Sequence, residues 1–97
     1  MTVFAVEYTY DHSRTDDIAL VRPDHRAFLG ELVEAGRVLA SGPWLDNAAP
    51  GALLLVVGED VAGVERMLDE DPFHRARLVT RRTVRAWDPV LGVLAQD

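Results

Sequence analysis

The chain has 97 residues, a net charge of −6 and no cysteine. That length suffices for one domain with a modest core, and the missing cysteine excludes disulfides, thiol nucleophiles and thiolate metal sites. The acidic balance argues against nucleic acid as a partner, because phosphate contacts need concentrated positive charge. All ten basic residues are arginine, so Schiff-base chemistry on a lysine is excluded as well. No run is long and apolar enough to span a bilayer. Met1-Thr2-Val3-Phe4 lacks the basic start of a secretory signal, and a cytoplasmic location is expected.

Val3 to Tyr10 alternates as a strand, with Phe4, Val6, Tyr8 and Tyr10 on one face. Asp11 to Asp17 reads as a polar loop. A helix is predicted from about Ile18 or Pro23 to Ala35, with Gly36 as the left-handed residue after it. Its apolar face is Phe28, Leu29, Leu32 and Val33. Val38 to Leu45 is a second strand, and Pro43 marks it as an edge or a bend. Asp46 to Pro50 is a turn. Gly51 leads into a third strand, Ala52 to Val57. Asp60 caps a helix running to about Glu70, with Val61, Val64, Met67 and Leu68 inward. Pro72 to about Leu78 is a short helical turn, and Val79 to Trp87 a fourth strand. Asp88-Pro89 ends it, and an apolar tail, Val90 to Leu94, follows.

The order β-α-β-β-α-β predicts an α+β fold, a ferredoxin-like sandwich with two helices on one face of a four-stranded antiparallel sheet, in one domain over residues 1–97. The third strand is apolar at six successive positions, whereas an antiparallel strand with one wet face alternates. Its second face therefore needs cover, and a homodimer with sheets packed face to face is expected.

Few residues carry chemistry. His25 has Phe28, Leu29 and Leu32 at i+3, i+4 and i+7, which turns it toward the sheet. A place in the first turn of the helix, together with partial burial, favours the neutral ring that a general base requires. A core or capping histidine is the bland alternative. Asp71 precedes Pro72 and is suited to capping the short helix; its second oxygen can still orient an imidazole. Arg22 lies three residues before His25 and can hold an anionic substrate group or pair with a carboxylate. Ser41 lies beside Gly42, where backbone can approach a ligand, and can donate a hydrogen bond; nothing around it forms a nucleophilic triad. His12 and His74 read as surface residues. The spacing of Asp11, His12, Asp16 and Asp17 is too loose for a metal site, and no phosphate loop or dinucleotide motif is present. No cofactor is expected. Of the arginines crowding the C-terminal third, Arg81 and Arg85 share one strand face and Arg82 lies opposite. They suit edge positions or salt bridges better than an anion site. Trp44 and Trp87 suit core or interface positions.

Taken together, Arg22-Pro23-x-His25-x-x-x-Leu29, Gly36-Arg37-Val38-Leu39-x-Ser41-Gly42-Pro43, Gly51, Asp71-Pro72-Phe73 and Val84-x-x-Trp87 resemble the YCII-related domain family. The resemblance spans nearly the whole chain. It implies a ferredoxin-like fold dimerised as an α+β barrel, with a pocket holding a histidine–aspartate pair at the positions of His25 and Asp71. Ser41 falls where the family pattern is looser. The family includes an enzyme that removes chloride from a chlorinated hydroxyquinol, and related barrels include muconolactone isomerase and small monooxygenases. The expected function is a cofactor-independent lyase or isomerase acting on a small molecule. His25 would serve as base, Asp71 would orient it, and Arg22 or Ser41 would place the substrate. The alternative is a non-catalytic, metabolite-binding dimeric module.

Overall fold

The computed structural model describes residues 1–95. The elements are β1 (Thr2–Tyr10), α1 (Thr15–Glu34), β2 (Val38–Pro43), β3 (Gly51–Gly58), α2 (Val61–Leu68), α3 (Pro72–Arg75) and β4 (Val79–Trp87). The strands form one sheet in the order β2-β3-β1-β4, with every neighbouring pair antiparallel. This is the ferredoxin-like arrangement, with α3 as a short third helix. Pro43 lies on an edge strand, where its missing N–H costs no ladder bond.

The period-2 pattern sorts the residues between the two faces. Phe4, Val6, Tyr8 and Tyr10 of β1 pack with Ala52, Leu54 and Val56 of β3 beneath Ile18, Leu29, Val64 and Leu68 of the helices, all buried. On the other face Leu53, Leu55 and Val57 are half-buried within one chain. β3 begins at Gly51 for a steric reason. A Cβ there would lie 2.0 Å from the Tyr8 carbonyl oxygen, so only glycine lets β1 and β3 pair at that register. α2 is short and strongly amphipathic; Asp60 caps it by accepting a hydrogen bond from the Gly63 N–H at 2.7 Å. Gly36 follows α1 at φ +75°.

Several boundaries differ from expectation. α1 starts at Thr15, within the segment read as loop, and passes through Pro23. Proline removes one helical hydrogen bond, but the buried stripe on Ile18, His25 and Leu29 holds the helix through it. His25 therefore stands ten residues after Thr15, mid-helix rather than in the first turn, and the helix-dipole argument for its charge state does not apply. α2 stops at Leu68 and β2 at Pro43. Val61 is exposed rather than inward, and both tryptophans are more than two-fifths exposed rather than core. In the tail, Val90, Leu91 and Val93 are exposed. No helix among the described residues is long and apolar enough to cross a membrane.

Candidate active site

α1, α3 and the inward face of β1 meet around Asp71, whose side chain is fully buried. Asp71 caps α3: its backbone is extended and its Oδ1 accepts the Phe73 N–H at 2.9 Å. The Tyr8 hydroxyl, from β1, donates to Oδ2 at 2.9 Å. His25, from α1, places Nδ1 2.8 Å from Oδ1 and 3.0 Å from Oδ2. With the Tyr8 hydroxyl and the Phe73 N–H donating to it, the carboxylate is an acceptor toward Nδ1, which therefore carries a ring proton, and Nε2 is the ring nitrogen turned away from Asp71. The imidazole also stacks on Phe73, with ring centroids 4.0 Å apart and planes 8° from parallel. Tyr10 meets the edge of Phe73 at 5.2 Å. Ring position, tilt and tautomer of His25 are thus all fixed by neighbours.

In front of His25 lies a cavity of about 440 Å³. A single stripe of α1 makes one wall: Arg22, His25, Arg26, Leu29, Gly30 and Val33, the spacing of one helical face. Ser41, Gly42 and Pro43 of β2 form the opposite side, with Ala52, Tyr10 and Phe73 below. Ser41 pairs in register with the inward-facing Leu54, so its side chain is on the cavity side of the sheet. The volume suits a one-ring molecule; small-molecule pockets are on the order of 300–1,000 Å³. Asp71 and Tyr8 do not line it. They stand behind the imidazole, whose side chain joins the buried carboxylate to the cavity.

Burial and the nearby Asp71 charge both raise the Tyr8 phenol far above its ordinary range. Burial, then Asp71, push Tyr10 up to about 12, and the positive charges of Arg22 and Arg26 partly oppose this. Both phenols are therefore neutral donors at physiological pH.

All four candidate residues read from sequence, His25, Asp71, Arg22 and Ser41, fall in or directly behind this one cavity. Tyr8, Tyr10, Phe73, Arg26 and Gly30 were missed as site residues. Tyr8 and Tyr10 were placed on one strand face with Phe4 and Val6 and given no role; the signal for Arg26 was its spacing, one turn after Arg22 and adjacent to His25. His74 is not a free surface residue. Its Nε2 lies 3.5 Å from Asp69, and its Nδ1 is buried without a hydrogen-bond partner among the described residues. Arg82 points to the helix side and donates to Asp69 at 2.7 Å, which holds that carboxyl below the usual range. Among the described residues no three His, Cys, Asp or Glu side chains are placed to share a metal ion.

The family model of the YCII-related domain matches residues 1–88. A search of the curated proteins found no match. Among solved structures, the chain is similar to 5-chloro-2-hydroxyhydroquinone dehydrochlorinase from Burkholderia phenoliruptrix AC1100, in complex with 2,5-dihydroxybenzoquinone. The TM-score is 0.79 at 20% sequence identity, over 97% of this chain and 99% of that one. At that identity the likeness speaks for the fold. With nine-tenths of its length matched by the family model and its fold shared with that structure, the chain belongs to the YCII-related domain family.

Proposed function

We propose that the protein is a cofactor-independent enzyme that removes a proton from a small, cyclic, oxygenated molecule, with elimination or isomerisation as the outcome. The observation that carries this is the placement of His25 between a buried, triply hydrogen-bonded carboxylate and an open cavity. Nε2 takes the proton. Asp71 accepts from Nδ1 throughout and stabilises the imidazolium that forms. In an elimination, the electron pair of the broken bond to hydrogen becomes a π bond, and a leaving group such as chloride departs with its own pair. In an isomerisation, Nε2 returns the proton to a different atom of the same molecule. Arg22 and Ser41 hold the substrate's oxygens from opposite sides. The dehydrochlorinase with the same fold supports the elimination branch.

The test is turnover on a panel of chlorinated and hydroxylated one-ring compounds, with chloride release and isomer formation both followed. General-base catalysis typically contributes ~10²–10⁴-fold, and His25→Ala is expected to lose about that factor while staying folded. Unchanged turnover in that variant would remove His25 from the mechanism.

The same reading includes a homodimer built on the sheet face away from the helices. Leu53, Leu55 and Val57 line that face, and a shallow groove of about 280 Å³ runs there between Ala40, Trp44, Leu53 and Leu55. Such an apolar strip is unusual on a monomer and suits a second copy of the same sheet.

A further inference from the structure

From the lining of the cavity we infer that the ligand is a planar organic acid, a ring-sized carboxylate or enolate, gripped by Arg22 and Arg26 together. The inference rests on the reading of this cavity as the substrate site and names the substrate class. The chain is acidic overall, with 16 carboxylate residues against ten arginines. Yet no Asp or Glu lines the cavity, while two arginines and a histidine do. Arg14, Arg75 and Arg82 each have a carboxylate partner; Arg22 and Arg26, like the five remaining arginines, make no ion pair among the described residues, and of those seven only these two line the cavity. The two are one helical turn apart, a spacing at which like charges repel. Tyr10 lines the same cavity, and the positive charge of both arginines opposes the rise of its phenol.

Two arginines on one helical face, lining the same cavity as Leu29, Ala52 and Phe73, match a ligand with an apolar ring and oxygens at one edge. Guanidinium geometry suits delocalised, in-plane oxygens better than a point charge. Negative charge held there also orients the rest of the ring relative to His25, which lies between the two arginines in sequence. Arg22 thus acts with Arg26 as one clamp, and Arg26 is its specificity residue.

The experiment is calorimetric titration of the full chain with 2,5-dihydroxybenzoquinone, whose acidic hydroxyls make it a planar oxyanion at neutral pH. Benzoate serves as a second planar anion, hydroquinone as a neutral ring, and inorganic phosphate as a non-planar anion. At least one planar anion is expected to bind more tightly than hydroquinone or phosphate, and its binding should weaken with salt. Arg22→Gln and Arg26→Gln should each weaken that anion by about tenfold or more, the factor that goes with one lost charge-assisted hydrogen bond, and leave hydroquinone unchanged. Circular dichroism checks that both variants are folded; Arg26 is exposed, so its substitution spares the core. Planar anions that bind no better than hydroquinone or phosphate, or variants that bind them like the wild type, would overturn the clamp. His25→Ala separates the two ideas. Retained anion binding with lost turnover supports both, whereas retained turnover defeats the proton-transfer reading and leaves the clamp standing.

Discussion

Asp71 gives the most exacting test, because its carboxylate serves three donors at once. Asp71→Ala strands the Tyr8 hydroxyl, the Phe73 N–H and the His25 Nδ1–H in a site with no solvent access to the carboxylate. A buried polar group left unpaired costs about 1–3 kcal/mol, so three cost roughly 3–9 kcal/mol. Domains of this size have a total stability of about 5–15 kcal/mol. The alanine variant is therefore expected at the edge of folding. Asp71→Asn is different. Its carbonyl can keep the cap on Phe73 and the bond from Nδ1, and its amide can donate to the Tyr8 oxygen, which also accepts. What is lost is charge assistance, roughly 2–4 kcal/mol over the set. The asparagine variant should fold and bind ligand, but turn over far more slowly, since the imidazolium loses its counter-charge. Urea unfolding of the three proteins, with midpoint and slope both fitted, measures the first part. An alanine variant within about 0.5 kcal/mol of wild type, the range of an ordinary surface change, would refute the hydrogen-bond assignment.

Three further outcomes are expected. Gly30 lines the cavity, and a Cβ built there meets no heavy atom within 4 Å. Gly30→Leu should therefore fill the cavity and abolish binding and turnover, while the helix gains about 1 kcal/mol from losing a mid-helix glycine; a variant with raised Tm and intact turnover would place the site elsewhere. In alkali, the Tyr10 phenol is raised from 10.0 to about 12 in the folded chain. The folded state then binds the proton more tightly, so its contribution of about 2–3 kcal/mol is complete below pH 10 and is lost as pH rises toward 12. Tyr8 shifts in the same direction. Urea midpoints across that window should fall less steeply for Tyr10→Phe, and an unchanged slope would show that Tyr10 does not titrate this way. Light scattering at micromolar concentration should give a dimer for the wild type and a monomer for Leu55→Arg; a monomeric wild type would remove the face-to-face assembly.

The sheet was legible because β1 and β3 carry patterns with a direct physical meaning, alternation in β1 and a continuous apolar run in β3, whose Leu53, Leu55 and Val57 are half-buried on the face away from the helices. The start of α1 was not. Thr15, Asp16 and Asp17 are polar and stand before a proline, which locally reads as loop; burial of Ile18 and Leu29 overrides that preference. His25 and Asp71 were legible as residue types at the right phase and junction. Their contact was not, because it spans 46 positions and depends on how α1 and α3 sit over the sheet. Tyr8 illustrates the same limit. An inward tyrosine on a core strand looks like packing until the acceptor of its hydroxyl is known.

A purely structural account of the histidine–aspartate pair explains half of the geometry. Capping α3 requires Asp71, and bracing α1 against it requires only Nδ1 of His25. Nothing in a brace requires the opposite ring edge to border a cavity with no hydrogen bond to a described residue, and a wholly buried pair would be the stabler device. Nor does it require Arg22 and Arg26 one turn apart without acidic partners, or a glycine in mid-helix where a larger side chain has room. Each of these three features costs stability, and they share one cavity wall. Local rules broken together at one place, with no compensating contact among the described residues, are what a site selected for function rather than folding would show. On the proposed reading the ligand supplies the compensation: its acidic edge would pair the arginines, its ring would fill the space over Gly30, and its transferable proton would meet Nε2.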